Sequence, residues 1–435
     1  MADLSVNICG IDSPNPFWLA SAPPTNTGDQ ISRAFDAGWG GAVWKTLGEP
    51  IENVYSRYSS VDINGHRMMG LNNIELITDR SLEDNLVEIQ EVKRRHPDNA
   101  LIVSLMVESN PEAWDEIIKQ VEQAGADGIE LNFGCPHGMS ERGMGSAVGQ
   151  VPEYTCDITT WAKASATTPV FVKLTPNITD IRAAARAAKN GGADAVSLIN
   201  TINSITGVDL ESFTPRPVVG DMSSHGGYCG PAVKPIALNM VAAIAADPFT
   251  EGLPISGIGG IQTWQDVAEY ILLGATTIQV CTAVMHYGYR IVDGMIEGLS
   301  NYLDSKGMAS VNELRGLSVG KVTDWQNLDI NYVVKAQIDQ DKCIGCGICY
   351  IACQDGAHQA IGAKQSDEGR TDVWIIEDAC VGCNLCSLVC PVQGCITMEE
   401  RDLGQTHMTW NEYASDDSPG ELYPRPKHGI TIGGD

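Results

Sequence analysis

The 435-residue sequence has no apolar run that approaches the ~20 residues a membrane-spanning helix requires, so no membrane association is expected. It is poor in basic side chains: 28 Lys and Arg stand against 55 Asp and Glu, a formal net charge of −27. A phosphate backbone wants a basic face, which excludes nucleic acid as a partner. Such acidity fits solubility, or docking onto a basic partner. The N-terminus, MADLSVNICG, lacks the basic region and apolar stretch of a secretory signal, and the expected location is the cytoplasm. No GxGxxG follows the first strand-like run, which removes the usual mark of a dinucleotide-binding sheet.

What is present is a chain long enough for two or more domains, 43% hydrophobic, with 14 cysteines. Short Val/Ile/Leu-rich runs recur at Phe17–Ala20, Ala42–Thr46, Leu101–Val107, Gly128–Phe133, Val170–Leu174, Ala195–Asn200, Pro254–Ile258 and Thr277–Cys281. Runs of this kind are expected of parallel strands buried on both faces. Amphipathic helix patterns lie between them, at Asp29–Ala37, Leu82–Arg95, Glu112–Ala124, Ile178–Lys189, Lys234–Ala246 and Thr263–Leu273. The junctions DAGWGG, QAGADG, NGGADA and LLGATT repeat one device, a glycine that closes a helix just before a strand. An open doubly wound sheet would alternate in the same way. The count of eight strands and the missing glycine fingerprint favour an α/β fold of the (β/α)8 barrel type. We place the barrel at 1–304, its N-terminal segment LSVNICGIDSPN reading as a small hairpin plugging the floor. A linker at 305–336, a Cys-rich α+β module at 337–400 and a tail at 401–435 follow.

Nine of the cysteines fall between 343 and 395, a clustering that in a reducing compartment means metal or cluster ligation rather than disulfides. Cys343, Cys346, Cys349 and Cys353 follow C-x2-C-x2-C-x3-C; Cys380, Cys383, Cys386 and Cys390 repeat it 37 residues later. This is the spacing of a two-cluster ferredoxin, in which the fourth cysteine of each run serves the other cluster. One 4Fe-4S cluster is therefore expected on Cys343, Cys346, Cys349 and Cys390, the second on Cys380, Cys383, Cys386 and Cys353. Structural zinc prefers ligand pairs separated by longer loops and suits two close triplets poorly. Gln354 stands where the motif has proline but removes no ligand, and Cys395 reads as a packed thiol. Two clusters pass single electrons. A barrel fused to them needs a group that accepts two electrons in single steps, which a flavin does and a nicotinamide does not.

In such barrels the chemistry sits at the C-terminal strand ends. Those ends carry Ala20-Ser21, Lys45-Thr46, Asn132, Lys173, Asn200-Thr201, Gly257-Ile258-Gly259-Gly260 and Cys281-Thr282. The glycines after strand seven and the helix start after strand eight suit a phosphate. Lys45 and Lys173 lie inside apolar strands; their stems could simply snorkel to solvent, but at this rim they fit stabilisation of a reduced flavin anion. Asn73, Asn132 and Asn200, with Thr201, suit a flat uncharged ligand with alternating N–H and C=O groups, although a single Asn at a strand end is usually a turn former. Cys135, in ELNFGCPHGM, exits strand four onto a Gly-rich loop. Packing alone would explain a lone thiol there; an acid or nucleophile is the functional alternative. The loop glycines from Gly138 to Gly149 read as hinges of a lid.

Long motifs carry a resemblance to the dihydropyrimidine dehydrogenases, from about Asn15 to Glu400. They include LASAPPT, NNIEL, CPHGM, VKLTPNITD, INTINSITG, GGYCGPAVKPIAL, SGIGGI, IQVCTAV and CIGCGICYIACQDGAHQAI. The resemblance implies FMN held by Ser21, Lys45, Thr46, Lys173, Gly230, Gly259, Gly260, Cys281 and Thr282. It implies uracil or thymine held by Asn73, Asn132, Asn200 and Thr201, with Cys135 as general acid. Where the family has a serine before that cysteine, this chain has Gly134, which puts one substrate contact in doubt. The implied reaction is reversible reduction to the 5,6-dihydropyrimidine, with hydride to C6 and a proton to C5. Its electrons come from NADH through a separate FAD- and NAD-binding flavoprotein subunit and the two clusters, commonly in an α2β2 assembly. A dihydroorotate dehydrogenase shares the flavin barrel but would need a cation for the orotate carboxylate, and its loop typically reads CPN. A non-catalytic electron-transfer subunit would be expected to have lost some of these residues.

Overall fold

Strands that are apolar on both faces must be covered on both faces. In the computed structural model, which describes residues 2–63, 66–136, 139, 142–366 and 369–415, they achieve this by closing on themselves. The barrel strands are β1 (Phe17–Leu19), β2 (Gly41–Leu47), β3 (Ala100–Leu105), β4 (Gly128–Asn132), β5 (Val170–Lys173), β6 (Ala195–Leu198), β7 (Ile255–Ile258) and β8 (Thr277–Val280). They pair in parallel in chain order. The ring is shut by β8 on β1, with Ile278 opposite Phe17, which rules out the open sheet. The four predicted junction glycines, Gly38, Gly125, Gly192 and Gly274, have φ between 91° and 107°, a region closed to most side chains.

The hairpin Val6–Ile8/Ile11–Ser13 turns through Cys9 and Gly10, both at positive φ. It delivers Ile8 and Ile11 against Trp18, Val43 and Phe171 at the barrel floor. Around the ring, Trp39, Trp44 and Trp114 are buried. Two outer helices escaped the sequence pattern, Pro152–Ser165 and Ile291–Lys306. The inner face of the first is Thr155, Ile158, Thr159 and Ala162, so its buried stripe is half threonine; the Thr159 hydroxyl donates back to the Thr155 carbonyl at 2.6 Å.

A larger omission lies over the C-terminal mouth. The excursions after β2 and β6 pair into a four-stranded antiparallel sheet of Tyr58–Ile63, His66–Asn73, Ile202–Ser204 and Gly226–Cys229. Its strands are polar, and the contacts that join the two excursions span 132 to 158 residues of chain, as between Asn72 and Ser204 or Cys229 and Leu71. Gly227 has no room for a side chain, because a Cβ there would lie 2.1 Å from the Thr201 hydroxyl.

Residues up to Val322 belong to the barrel unit, and the second compact unit runs from Thr323, so the division falls inside the segment expected as a linker. In the second unit, two antiparallel ladders, Val334–Ile338 with Ile396–Glu400 and Ile361–Gln365 with Thr371–Ile375, flank the helices Ile348–Gly356 and Leu385–Val389. Its core is small: Ala336, Ala360, Ile361, Val373 and Ile396 share it with five buried cysteines. Of the tail, the helix Trp410–Ser415 is described and residues 416–435 lie outside the described part. Among the described residues no helix is long and apolar enough to cross a membrane.

Trp44, next to Lys45 on β2, donates its indole N–H to Asn85 Oδ1 at 2.9 Å, with both residues fully buried. Replacing Asn85 by Ala leaves that donor unsatisfied. We expect a loss of about 1–3 kcal/mol, seen as a thermal unfolding midpoint lower by several degrees.

Candidate active site

Barrel closure carries the strand ends to one rim. Ser21, Lys45, Thr46, Asn132, Lys173, Asn200, Thr201, Gly259, Gly260, Cys281 and Thr282 all line one cleft there. Asn73 and Gly230 reach the same cleft from the mouth sheet, and Cys135 from the loop after β4. The space among these residues is about 1160 Å³, part of it open to solvent. Every site residue expected in the barrel is therefore brought to one place.

The polar groups are linked. Asn132 Nδ2 donates to Thr46 Oγ1 at 2.9 Å, and Thr46 Oγ1 in turn lies 3.1 Å from Ser21 Oγ and 2.9 Å from Ser104 Oγ. Asn132 Oδ1 accepts from Asn200 Nδ2 at 2.9 Å and from the Gly134 N–H at 3.2 Å. Asn200 Oδ1 accepts the Thr201 N–H at 2.8 Å, and Asn73 Nδ2 donates to the Gly227 carbonyl at 3.2 Å. Gly134, the departure from the family pattern, sits where a Cβ would be 2.3 Å from the Asn200 Cβ. With Asn200 in this position a serine cannot stand there.

Residues that the sequence reading passed over complete the electrostatics. Lys45 is ion-paired with Glu75, whose other oxygen accepts the Tyr58 hydroxyl; both charged side chains are less than 8% exposed. Burial, with the Glu75 hydrogen bond, holds the Tyr58 phenol far above its ordinary range. Lys173 Nζ lies 3.7 Å from Glu130 Oε1, a carboxylate with no exposed surface. Both glutamates were visible in the sequence as charges inside apolar runs, NNIEL and GIELNF, where a buried charge requires a partner. Two further thiols face the cleft. Burial raises Cys229 to about 11 and, with the nearby Cys229, puts Cys281 higher still, so both rest as neutral thiols.

The glycine loop after β7 is shaped for a close approach. Gly259 and Gly260 have φ of 134° and 72°, and a Cβ on either would meet a neighbouring atom at 2.8 Å. Beyond the loop, Asp266 caps the next helix, accepting from the Gln262 and Thr263 N–H groups and from Lys234 Nζ. Burial alone would raise that carboxyl; these three donors overcome it and hold it below the ordinary range. The helix after β8 is short, Thr282–Tyr287. Gly230, Gly259 and Gly260 line the cleft with backbone alone, which fits a phosphate-bearing flavin. On the loop carrying Cys135, Met139 and Met144 are buried against Ile77 and Met106, and the Cys135 carbonyl accepts the Ser146 N–H at 3.0 Å. Gly138, one of the expected hinges, lies outside the described residues.

In the second unit the eight motif cysteines separate into two groups. Cys343, Cys346, Cys349 and Cys390 line a void of about 330 Å³, bordered also by Cys395; Cys353, Cys380, Cys383 and Cys386 line another of about 350 Å³. The fourth cysteine of each run thus stands with the first three of the other. Among the described residues no group of three or more His, Cys, Asp or Glu is placed to hold a single metal ion. Thiols ringing a void of this size suit a multi-iron cluster better than one zinc ion.

A (β/α)8 barrel with such a cleft, joined to a unit with two such thiol rings, defines an iron–sulfur flavin oxidoreductase. Residues 3–303 match the family described as dihydroorotate dehydrogenase, and residues 336–398 a 4Fe-4S dicluster domain. The chain is 46% identical over 370 residues to the NAD-dependent dihydropyrimidine dehydrogenase subunit PreA of Escherichia coli strain K12, covering 85% of this chain and 89% of that one. It is 43% identical over 337 residues to the chloroplastic dihydropyrimidine dehydrogenase (NADP(+)) of Arabidopsis thaliana, covering 75% and 79%. Against the catalytic subunit of dihydroorotate dehydrogenase B (NAD(+)) of Pyrococcus abyssi the identity is 36% over 316 residues, 73% of this chain and 99% of that one. The chain belongs to the dihydroorotate dehydrogenase family and, within it, to the dihydropyrimidine dehydrogenases.

Cys349 is buried in the void lined by the first group. The substitution Cys349→Ala should lower iron and sulfide below the ~8 of each that two 4Fe-4S clusters contain, measured on anaerobically purified protein. A retained full complement counts against the assignment.

Proposed function

We propose that this chain is the catalytic subunit of an NAD-dependent dihydropyrimidine dehydrogenase, reducing uracil or thymine to the 5,6-dihydropyrimidine and reversing the reaction when driven. FMN would be held by Ser21, Lys45, Thr46, Lys173, Gly230, Gly259, Gly260, Cys281 and Thr282. The clusters would be held by the eight motif cysteines, grouped as the voids group them.

The observation that carries the reading is the convergence of Asn73, Asn132, Asn200 and Thr201 with Cys135 on one cleft, in which the lining lysines are already matched by buried carboxylates. Neutral amides and a hydroxyl recognise a ring of alternating N–H and C=O groups. Among the described residues that line the cleft, the cations are Lys45 and Lys173, each beside a glutamate, so a substrate carboxylate would meet no unmatched charge. That favours a pyrimidine over orotate. The amides now bond to one another, and a substrate would exchange those contacts for its own at little desolvation cost.

Bound FMN would supply the hydride for C6. Cys135, half-buried at the cleft on a loop anchored by Met139 and Met144, would supply the proton for C5. A general acid of this kind acts from the neutral thiol. Lys45 and Lys173 supply positive charge where the reduced flavin develops negative charge. Electrons would arrive singly through the two clusters from a FAD- and NAD-binding partner subunit, in an α2β2 assembly in the cytoplasm. The acidic surface suits a basic partner face.

The family match and the Pyrococcus relative favour a second reading, oxidation or reduction at the dihydroorotate level. One anaerobic experiment separates the two. The reduced chain should be reoxidised by uracil or thymine and not by orotate or fumarate; reoxidation by orotate alone would establish the second reading, and by none of them a non-catalytic electron-transfer role. Cys135→Ala should keep flavin and both clusters yet lose about 10²–10⁴-fold in pyrimidine reduction. Near-normal turnover by that variant would remove Cys135 as the acid.

A further inference from the structure

Glu130 stands one residue layer below the cleft, on β4, with no exposed surface. Its Oε2 accepts from the Ser197 hydroxyl at 2.7 Å and more weakly from Gln279 Nε2 at 3.4 Å. Among the described residues, its Oε1 accepts no hydrogen bond. The nearest cation, Lys173 Nζ, is 3.7 Å from that oxygen, beyond hydrogen-bond range. The contrast with Lys45 is direct, since Lys45 and Glu75 are in full contact. A buried ion pair kept only for stability should close and satisfy its remaining lone pairs, because an uncompensated buried charge is costly. Glu130 is left half-satisfied, and the ammonium beside it lines the cleft.

We propose that Glu130 is a positioning residue that divides the charge of Lys173 between itself and the flavin, and thereby sets the flavin's reduction potential. This rests on the reading above that FMN occupies the cleft against Lys173. Two electrons and one proton taken up by the oxidised ring leave one net negative charge, which no proton balances and which Lys173 must meet. A carboxylate on the far side of the ammonium weakens that stabilisation at low local dielectric. It keeps the reduced flavin reactive enough to give its hydride to an uncharged ring. Ser197 and Gln279 donate to the carboxylate from below, and Ser256 and Thr277 fix Gln279 in turn, with Gln279 Nε2 on Ser256 Oγ at 3.1 Å and Thr277 Oγ1 on Ser256 Oγ at 2.8 Å.

The test is a potentiometric titration of the flavin in the full, cofactor-loaded chain, read at the flavin absorption band with no pyrimidine present. Glu130→Gln, nearly isosteric, should move the oxidised–reduced equilibrium at least tenfold toward the reduced form, about 30 mV upward for a two-electron couple. Glu130→Asp, which keeps the charge, should restore most of the wild-type potential. Ser197→Ala leaves the carboxylate in place without its best donor, so its charge is less offset, and should give a smaller shift of the opposite sign, which decides the matter should Glu130→Gln not fold. In turnover, Glu130→Gln should lose kcat for pyrimidine reduction with KM nearly unchanged. A chain that holds no flavin overturns the reading on which this rests. A flavin-loaded chain whose potential stays at the wild-type value in Glu130→Gln, or in Ser197→Ala alone if the first is lost, overturns this inference and leaves that reading standing.

Discussion

Everything at the site depends on the hydrogen-bonded closure of β8 onto β1, Ile278 to Phe17, Gln279 to Trp18 and Val280 to Leu19. A parallel sheet exposes both apolar faces unless it is wrapped, and closing it forces all eight C-terminal strand ends to the same rim. Ser21, Lys45, Asn132, Lys173, Asn200, Gly259 and Cys281 are far apart in the chain and share a cleft for that reason alone. The hairpin beneath, with Ile8 and Ile11 on Trp18 and Phe171, keeps water from the other end.

That dry interior sets the rules for charge. Lys45 and Lys173 can be kept there because Glu75 and Glu130 accompany them, and the two pairs are built differently. Lys45–Glu75 is closed and capped by Tyr58; Lys173–Glu130 is open by one ångström or so of missing contact. The amides between them satisfy each other through Asn132, so the cleft holds polar groups in low dielectric without leaving them orphaned. An uncharged, flat ligand can replace those bonds one for one, which is why the chemistry of the lining argues for a pyrimidine.

The second unit solves a different problem. Its apolar core is too small to be the main source of stability, and five of the residues that fill it are cysteines facing the two voids. Cluster binding and folding would be coupled in a unit of this composition, since four of the motif cysteines are also core residues. The swapped arrangement, with Cys390 beside Cys343 and Cys353 beside Cys380, ties the two halves of the duplication together through the groups they would ligate.

The barrel strands, the cysteine grouping and the strand-end residues were legible in the sequence because each depends on a local or periodic signal: continuous apolar runs, a glycine at a helix end, a fixed spacing of thiols. The helix Pro152–Ser165 was not, because threonines occupy its buried face. The mouth sheet was not, because polar strands acquire meaning only when Asn72 meets Ser204 and Gly227 meets Asn73. Gly134 read as a lost contact, and packing shows it as the space taken by Asn200. The sequence by itself determined the fold class, the grouping of the eight motif cysteines and the list of groups at the rim. Only the tertiary structure decided how those groups are paired: which carboxylate faces which lysine, and how closely. Pairing energies vary with distances of an ångström in a low-dielectric interior, and no local pattern in a chain encodes a distance between strands.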